Sequence, residues 1–402
     1  MLTALPTTLR LVLAAFLWAK GPDHAAPAPL RFQLRHEHAA ANGSRSVFAD
    51  VSPSFLGEYY QVLIKTIATH QPPSAAAYSD ARLLSMRHAQ SPAFLWDPVE
   101  IPGPDVSKRE TLRQLAKMTS NAYYAEPGHK SWYPLNGWNI SVPFGWEPDA
   151  DGMRGHVFVA DNNSTVVISI KGGAGSWIAG GEGPTMKKDK LNVNLLFSCC
   201  CARVGPTWYT VCDCYAGGGK CDQRCVEQSL LDNNLFYAIG TNLYNDVAYM
   251  YPNANIWLVG HSLGGALASL LGATFGAPAV AFETPGDKLA ATRLHLPSPP
   301  STQHITHVYH TADPLATGAC IGVTSVCALG GFALDCHLGQ RILYDTVAQR
   351  KWAVDARTHG IQFVLDNLLN ADWDPARGVA VPAVDVQAGC VECVDWEYGD
   401  FK

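Results

Sequence analysis

Residues 256–275 read IWLVGHSLGGALASLLGATF, and this stretch decides the fold. Residues 256–259 form a short apolar run of strand length, and residues 264–275 form an Ala/Leu-rich run of helix length. Between them stands Gly260-His261-Ser262-Leu263-Gly264, a G-x-S-x-G pentapeptide. Such a pentapeptide carries weight only in context, with a strand running in and a helix running out. It then marks a strained turn that raises the serine hydroxyl at the carboxyl edge of a sheet, where flanking side chains larger than glycine's hydrogen would clash. The order here predicts Ser262 as a nucleophile, with the Leu263 N–H at the helix start as one oxyanion donor. The bland alternative is a glycine-rich turn in which Ser262 only caps a helix.

Outward from this stretch the pattern alternates. Residues 155–160 (GHVFVA) and 165–171 (TVVISIK) are β-branched runs separated by Asp161-Asn162-Asn163, which predicts a tight strand pair. Residues 172–226 interrupt the order with glycines and seven cysteines, and a helical pattern returns over 227–251. Residues 279–282 and 305–309 read as further strands. Upstream, apolar residues at 112, 115, 118 and 122 have the spacing of an amphipathic helix. Strands alternating with helices predict an α/β protein with a mostly parallel sheet covered on both faces, the α/β-hydrolase fold. The division expected is a signal peptide or anchor over 1–20, an N-terminal lumenal extension over 21–105, the hydrolase domain over 106–370 with an insertion at 199–225, and a C-terminal tail over 371–402.

A nucleophilic serine needs a base and the base an orienting acid, expected in the chain order Ser, Asp/Glu, His. Asp313 follows the strand at 305–309 within His310-Thr311-Ala312-Asp313-Pro314, at the carboxyl end where catalytic groups collect in such sheets. Asp287 competes with it, and an Asp-Pro turn is the structural alternative. His337 and His359 lie beyond Asp313. His337 stands beside Cys336, whereas His359 opens a late helical segment from which a loop histidine reaches the serine, so His359 is preferred. The second oxyanion donor is expected from ISIKGGAGSW (168–177), at Gly173 among Gly172, Gly173 and Gly175.

The chain has 402 residues, 48% hydrophobic and 16% charged, with net charge -6. No basic run appears, so nucleic acid is not expected as a partner. Twelve cysteines, an even number, point to disulfides in an oxidising lumen. Asn-x-Ser/Thr acceptors at Asn42, Asn139, Asn162 and Asn163 fit the same compartment. Residues 11–19 (LVLAAFLWA), preceded by Arg10, are a cleaved signal peptide or a retained anchor, with the remainder of the chain lumenal in either case. The seven cysteines at 199–225 lack the paired C-x₂-C knuckles of a zinc site, so disulfides are preferred, at least one of them leaving the insertion. No cofactor or metal is expected.

With these residues in place the chain resembles the autophagy-related vacuolar lipases of fungi, a branch of the class 3 lipases. The resemblance rests on SIKGGAGSW, GPTMKKDKLNVNLLFSCCCARVGPTW, VCDCYAGGGKCDQRCVEQSLL, IWLVGHSLGGALASLLG, FETPGDKLAATRLHLP, ITHVYHTADP, CHLGQRILYDT and VDARTHGI, which span roughly half the chain. It implies Ser262, Asp313 and His359 as nucleophile, acid and base. It also implies a single-pass type II glycoprotein that travels through endoplasmic reticulum, Golgi and multivesicular bodies to the vacuole, hydrolysing phospholipids and neutral lipids of membranes delivered there. Such lipases usually carry a hydroxyl residue where this chain has Gly173, so only the backbone N–H is expected to serve. In such lipases a lid occupies the position of the insertion. Trp177, Ile178, Leu195, Leu196 and Phe197 are then either an apolar face for a bilayer or ordinary core. A soluble secreted carboxylesterase and a non-catalytic lipid-binding protein are the competing functions.

Overall fold

The computed structural model describes residues 29–401 except 42–44, 51–59, 89–92, 125–130, 134–151, 161–162, 174–185, 202–209, 232–234 and 320–330. The chain enters through strands β1 (Leu30–Ala41), β2 (Arg45–Asp50) and β3 (Tyr60–Val62), then a hairpin of β4 (Ile64–Gln71) and β5 (Asp97–Pro104) flanking helix α1 (Ala75–His88). Helix α2 (Arg109–Asn121) precedes the antiparallel pair β6 (Arg154–Ala160) and β7 (Thr165–Ile170). The insertion holds α3 (Met186–Phe197), the short strands β8 (Tyr215–Gly217) and β9 (Lys220–Asp222), and α4 (Gln223–Ser229). Helix α5 (Phe236–Met250) leads to β10 (Asn255–His261), α6 (Leu263–Phe275), β11 (Ala279–Phe282), α7 (Lys288–Arg293) and β12 (Ile305–His310). The chain ends through β13 (Gln340–Tyr344), α8 (Thr346–Arg350), a 3₁₀ turn (Ala356–His359), α9 (Ile361–Asn367), β14 (Val384–Asp385) and β15 (Glu397–Gly399).

The central sheet runs β14-β13-β12-β11-β10-β7-β6-β1-β2, with β3 also paired to β1. Strands β7, β10, β11, β12 and β13 are mutually parallel and lie side by side at its centre. Antiparallel strands widen it at both edges. The alternation within β10 shows why this sheet needs helices on both faces. Ile256 and Leu258 enter one apolar core with α5 and α6, while Trp257 and Val259 enter the other with α2 and α9. A strand buried on both sides has no polar face, and the apolar run at 256–259 reports that.

Three features differ from a simple reading of the sequence. The 21–105 segment supplies β1 and β3 to the central sheet itself, with Phe32, Leu34 and Val62 buried in its second core. The helical pattern of 227–251 divides into α4 and α5, because Leu230 closes the first helix before Leu235 opens the second. Leu195, Leu196 and Phe197 are at most 4% exposed and belong to the core, so they form no bilayer-facing surface. Trp177 and Ile178 lie outside the described residues.

The cysteine pairs are Cys199–Cys393, Cys200–Cys221, Cys201–Cys212, Cys214–Cys225 and Cys336–Cys390. Six of the insertion's cysteines pair among themselves, and Cys199 is the one that leaves it. The sulfurs of Cys201, Cys212 and Cys214 crowd together, but each is already bonded in a disulfide. Cys320 and Cys327 lie outside the described residues. The C-terminal segment is stapled to the insertion: β15 pairs in parallel with β9, and the Tyr398 hydroxyl donates to the Cys199 carbonyl at 2.9 Å.

Candidate active site

Ser262 stands between the end of β10 and the start of α6 with φ 55° and ψ −127°, a backbone conformation that L-residues other than glycine rarely adopt. Its N–H donates to Phe282 O at 3.0 Å, and its carbonyl accepts from Ala266 N at 3.0 Å, so both sides of the strained residue are held. Two glycines make the turn sterically feasible. A Cβ on Gly260 would come within 2.2 Å of Gly264 O, and one on Gly264 within 2.3 Å of Ile170 O. Backbone atoms cannot step aside as a flexible side chain can.

The segment after β7 lies against this elbow. A Cβ on Gly172 would meet the Tyr123 hydroxyl at 2.2 Å and His261 O at 2.4 Å. Lys171 fixes the segment from below: its Nζ donates to Gly172 O at 2.8 Å and lies 3.6 Å from Asp189 Oδ2 on α3, both side chains being less than a tenth exposed. Burial lowers the lysine's pKa, and the Asp189 charge opposes that shift. Gly173 is buried and lines the same cavity as Ser262.

That cavity has a volume of about 370 Å³, enough for an acyl chain or a headgroup, and His359 stands on its wall with Ser262, His261 and Tyr123. His359 Nδ1 lies 2.7 Å from Asp313 Oδ2. Asp313 is fully buried, and its other oxygen accepts from Leu315 N at 2.9 Å. Burial pushes this carboxyl up, but the His359 imidazole beside it and the hydrogen bonds it accepts outweigh that and hold it below the usual carboxylate range. An ionised carboxylate can only accept, so His359 donates to it from Nδ1–H.

His261 ties the groups together. It is buried, and burial together with the nearby His359 lowers its pKa to about 3, so it stays neutral. Its Nε2 donates to the carbonyl of His359 at 2.7 Å, and its Nδ1 accepts from the Tyr123 hydroxyl at 2.6 Å. The Gly172 backbone lies against the same hydroxyl. One hydrogen-bonded chain thus runs from Tyr123 through His261 to the backbone of His359.

The competing acid and base occupy a different place. Asp287 is buried 3.4 Å from His307 Nε2, with its other oxygen accepting from Leu338 N at 2.7 Å. His337 donates from Nε2 to Thr284 O at 2.7 Å and stacks on Tyr309. Neither contacts His359 or Asp313. Asn163 is exposed in a turn at φ 55°, open to modification, whereas Asn42, Asn139, Asn162 and the 1–20 segment lie outside the described residues. Among the described residues no helix is long and apolar enough to cross a membrane.

Tyr123 and His261 are members of this site that sequence reasoning passed over. His261 carried a signal, as the first of the two variable positions of the pentapeptide. Tyr123 carried none beyond its place at the end of an amphipathic helix.

The class 3 lipase family model matches residues 226–318, the part that holds the elbow and Asp313. The protein named "Putative lipase ATG15" of Cryptococcus neoformans var. neoformans serotype D (strain JEC21) is 57% identical over 294 residues, 72% of this chain and 56% of that protein. Its namesake in Candida glabrata is 42% identical over 345 residues, 83% of this chain and 67% of that protein. The chain belongs to the ATG15 lipase family. It spans just over half the length of the ATG15 relatives from Cryptococcus. Among solved structures, the nonglycosylated Yarrowia lipolytica LIP2 lipase covers 58% of this ATG15-family chain and 78% of its own at 16% identity, with a TM-score of 0.30, too remote to carry weight.

Proposed function

We propose that the protein is a lipase and phospholipase that cleaves acyl esters of membrane phospholipids and neutral lipids with Ser262, His359 and Asp313. The observation that carries this reading is the 2.7 Å contact between His359 and Asp313 on the wall of the cavity that Ser262 enters from a strained elbow. In the proposed reaction His359 Nε2 takes the Ser262 proton as Oγ attacks the ester carbonyl, and Asp313 stabilises the imidazolium through Nδ1–H. The oxyanion is received by the N–H groups of Leu263 and Gly173. Collapse of the tetrahedral intermediate moves the proton from His359 to the leaving alcohol, and water releases the fatty acid from the acyl-enzyme by the same steps in reverse.

Family membership supports lipid as substrate, and the five disulfides among the described residues support folding in an oxidising lumen. On this reading the chain passes through endoplasmic reticulum, Golgi and endosomal or multivesicular-body membranes as a glycoprotein held by its N-terminal apolar segment. It then acts in the vacuole on autophagic bodies and intravacuolar vesicles.

The test is fatty-acid release by the purified chain from phospholipid vesicles and from a soluble short-chain ester, with S262A in parallel. The expected outcome is release from vesicles that falls by roughly 10⁴-fold or more in S262A. Hydrolysis of the soluble ester alone would make the protein a carboxylesterase. Vesicle binding without hydrolysis would leave a lipid-binding protein and overturn the proposal.

A further inference from the structure

The turn that carries His359 is gripped by two further histidines. His261 ends β10 and His310 ends β12, two strands of the parallel centre, so both stand at the sheet edge that carries Ser262 and Asp313. Both are buried. His261 Nε2 lies 2.7 Å from the His359 carbonyl oxygen, and His310 Nε2 lies 3.2 Å from the Thr358 carbonyl oxygen. A carbonyl can only accept, so each imidazole donates from Nε2–H.

The other ring nitrogens are arranged alike. Nδ1 of His261 stands 2.6 Å from the Tyr123 hydroxyl, and Nδ1 of His310 stands 3.4 Å from the Thr346 hydroxyl. Thr346 Oγ1 also accepts the Ala312 N–H at 3.2 Å, which leaves its own proton to face the ring. Each arm therefore runs from hydroxyl through neutral imidazole to carbonyl. Burial lowers the pKa of both histidines, that of His261 to about 3 with the nearby His359 adding to the effect, in keeping with neutral rings. Glu283 also faces His310, but its Oε1 is 3.8 Å from Nε2, beyond hydrogen-bond reach.

Thr358 and His359 are consecutive, so the two carbonyls belong to the two peptide planes that flank the His359 Cα. Holding both planes fixes φ and ψ at that residue, and with them the direction in which its side chain leaves the backbone. Asp313, 2.7 Å from His359 Nδ1, then sets the rotation of the ring. The turn belongs to no strand. It is also tied to Ala312 O, by the Asp355 N–H at 3.0 Å and the Thr358 hydroxyl at 3.1 Å, but those bonds leave the His359 carbonyl untouched.

We propose that His261 and His310 are positioning residues that hold the two peptide planes around His359 and so aim its Nε2 at Ser262. The inference rests on the Ser262, His359 and Asp313 reading. The His261 ring lies 4.8 Å from that of His359 between centroids. As a neutral donor it steadies the turn without placing a positive charge beside the imidazolium that forms when the serine proton is taken.

The test is kcat and KM on the soluble ester, together with the urea midpoint, for wild type, H261L, H261Q, H261N, H310L, H310Q and S262A. Leucine has no donor, and kcat is expected to fall roughly ten- to hundredfold with KM little changed, the range for a reacting group displaced by about 1 Å. Glutamine carries an amide N–H at the reach of Nε2 and is expected to recover most of that loss at either position. Asparagine at 261 places its amide near the position of Nδ1, short of the His359 carbonyl, and is expected to stay as low as leucine. Recovery by one amide and not the other reports a donor at one place, which a loss of stability alone would not produce, and it decides the matter even where H261L folds poorly. Equal kcat in H261Q and H261N, leucine variants with wild-type kcat, or losses of kcat that simply follow the urea midpoints overturn the inference. An inactive S262A in the same assay leaves the Ser262 reading standing, and hydrolysis that survives in S262A overturns both.

Discussion

Ser262 holds its position because the residues two places to either side, Gly260 and Gly264, have no side chains. The Gly264 Cβ position lies 2.3 Å from Ile170 O and 2.6 Å from Lys171 O, so the first turn of α6 rests directly on the strand that precedes the glycine segment. A methyl group there must separate the elbow from that segment. Gly264→Ala is expected to destabilise the fold by about 1–3 kcal/mol or more, read as a lowered urea midpoint. Gly360 is the matched control. It adjoins His359 on the cavity wall, has nothing within 4 Å of its Cβ position, and has φ −65°, so Gly360→Ala should leave the midpoint unchanged. An equal effect of both substitutions would contradict the steric account.

At the scale of elements, Gly172 and Gly173 lie beyond the end of β7 at Ile170, and Lys171 holds them against α6. Lys171 continues β7 and is held from three sides: by its N–H to Arg154 O at 2.9 Å, by the Gly172 carbonyl, and by Asp189 of α3. Breaking a buried pair strands a charge, which typically costs about 3–5 kcal/mol, whereas removing both partners often costs little. Lys171→Met and Asp189→Leu are each expected to lower stability by that order, and the double substitution to regain most of it. A double-mutant cycle in urea measures this, and purely additive effects would mean that the pair does not couple β7 to α3. On the other side of the site, His261 links β10 to the 3₁₀ turn that ends in His359.

For the whole molecule, the buried histidines decide how stability follows pH. Burial lowers His156, His304 and His337 to about 4, lowers His310, and with the nearby His359 lowers His261 to about 3. Each takes up a proton in the unfolded chain below about pH 6.5 and resists it in the fold. Stability therefore falls as pH falls from about 6.5 towards the folded values. Burial raises Glu283 and Glu392, which act oppositely, because the fold keeps their protons while the unfolded chain loses them above about pH 4.5. The five histidines act against the two carboxyls, and the net result expected is a loss of stability as pH falls from 7 to 5. The melting temperature is expected to be clearly lower at pH 5 than at pH 7. A midpoint that stays level or rises on acidification would show that the histidines titrate in the fold. Cys199–Cys393, which closes a span of 194 residues, limits what the unfolded chain gains at any pH.

The sequence by itself determined the elbow, because a strand, a G-x-S-x-G turn and a helix are local patterns set by side-chain size and periodicity over twenty residues. It also implied a mostly parallel sheet, cysteines paired in disulfides, and membership of a lipase family. It did not determine the role of residues 21–105, whose β1 joins the sheet beside β6 more than a hundred positions away. Sheet edges are completed by hydrogen bonds between distant segments, and no periodicity within either segment records its partner. Leu195, Leu196 and Phe197 read equally well as lid or core, since apolarity names no face, and packing placed them inside. Only the tertiary structure brought Asp313 to His359 and set Asp287 with His307 instead. Those contacts depend on which strand ends meet, and a carboxyl's charge is decided by the neighbours that burial gives it.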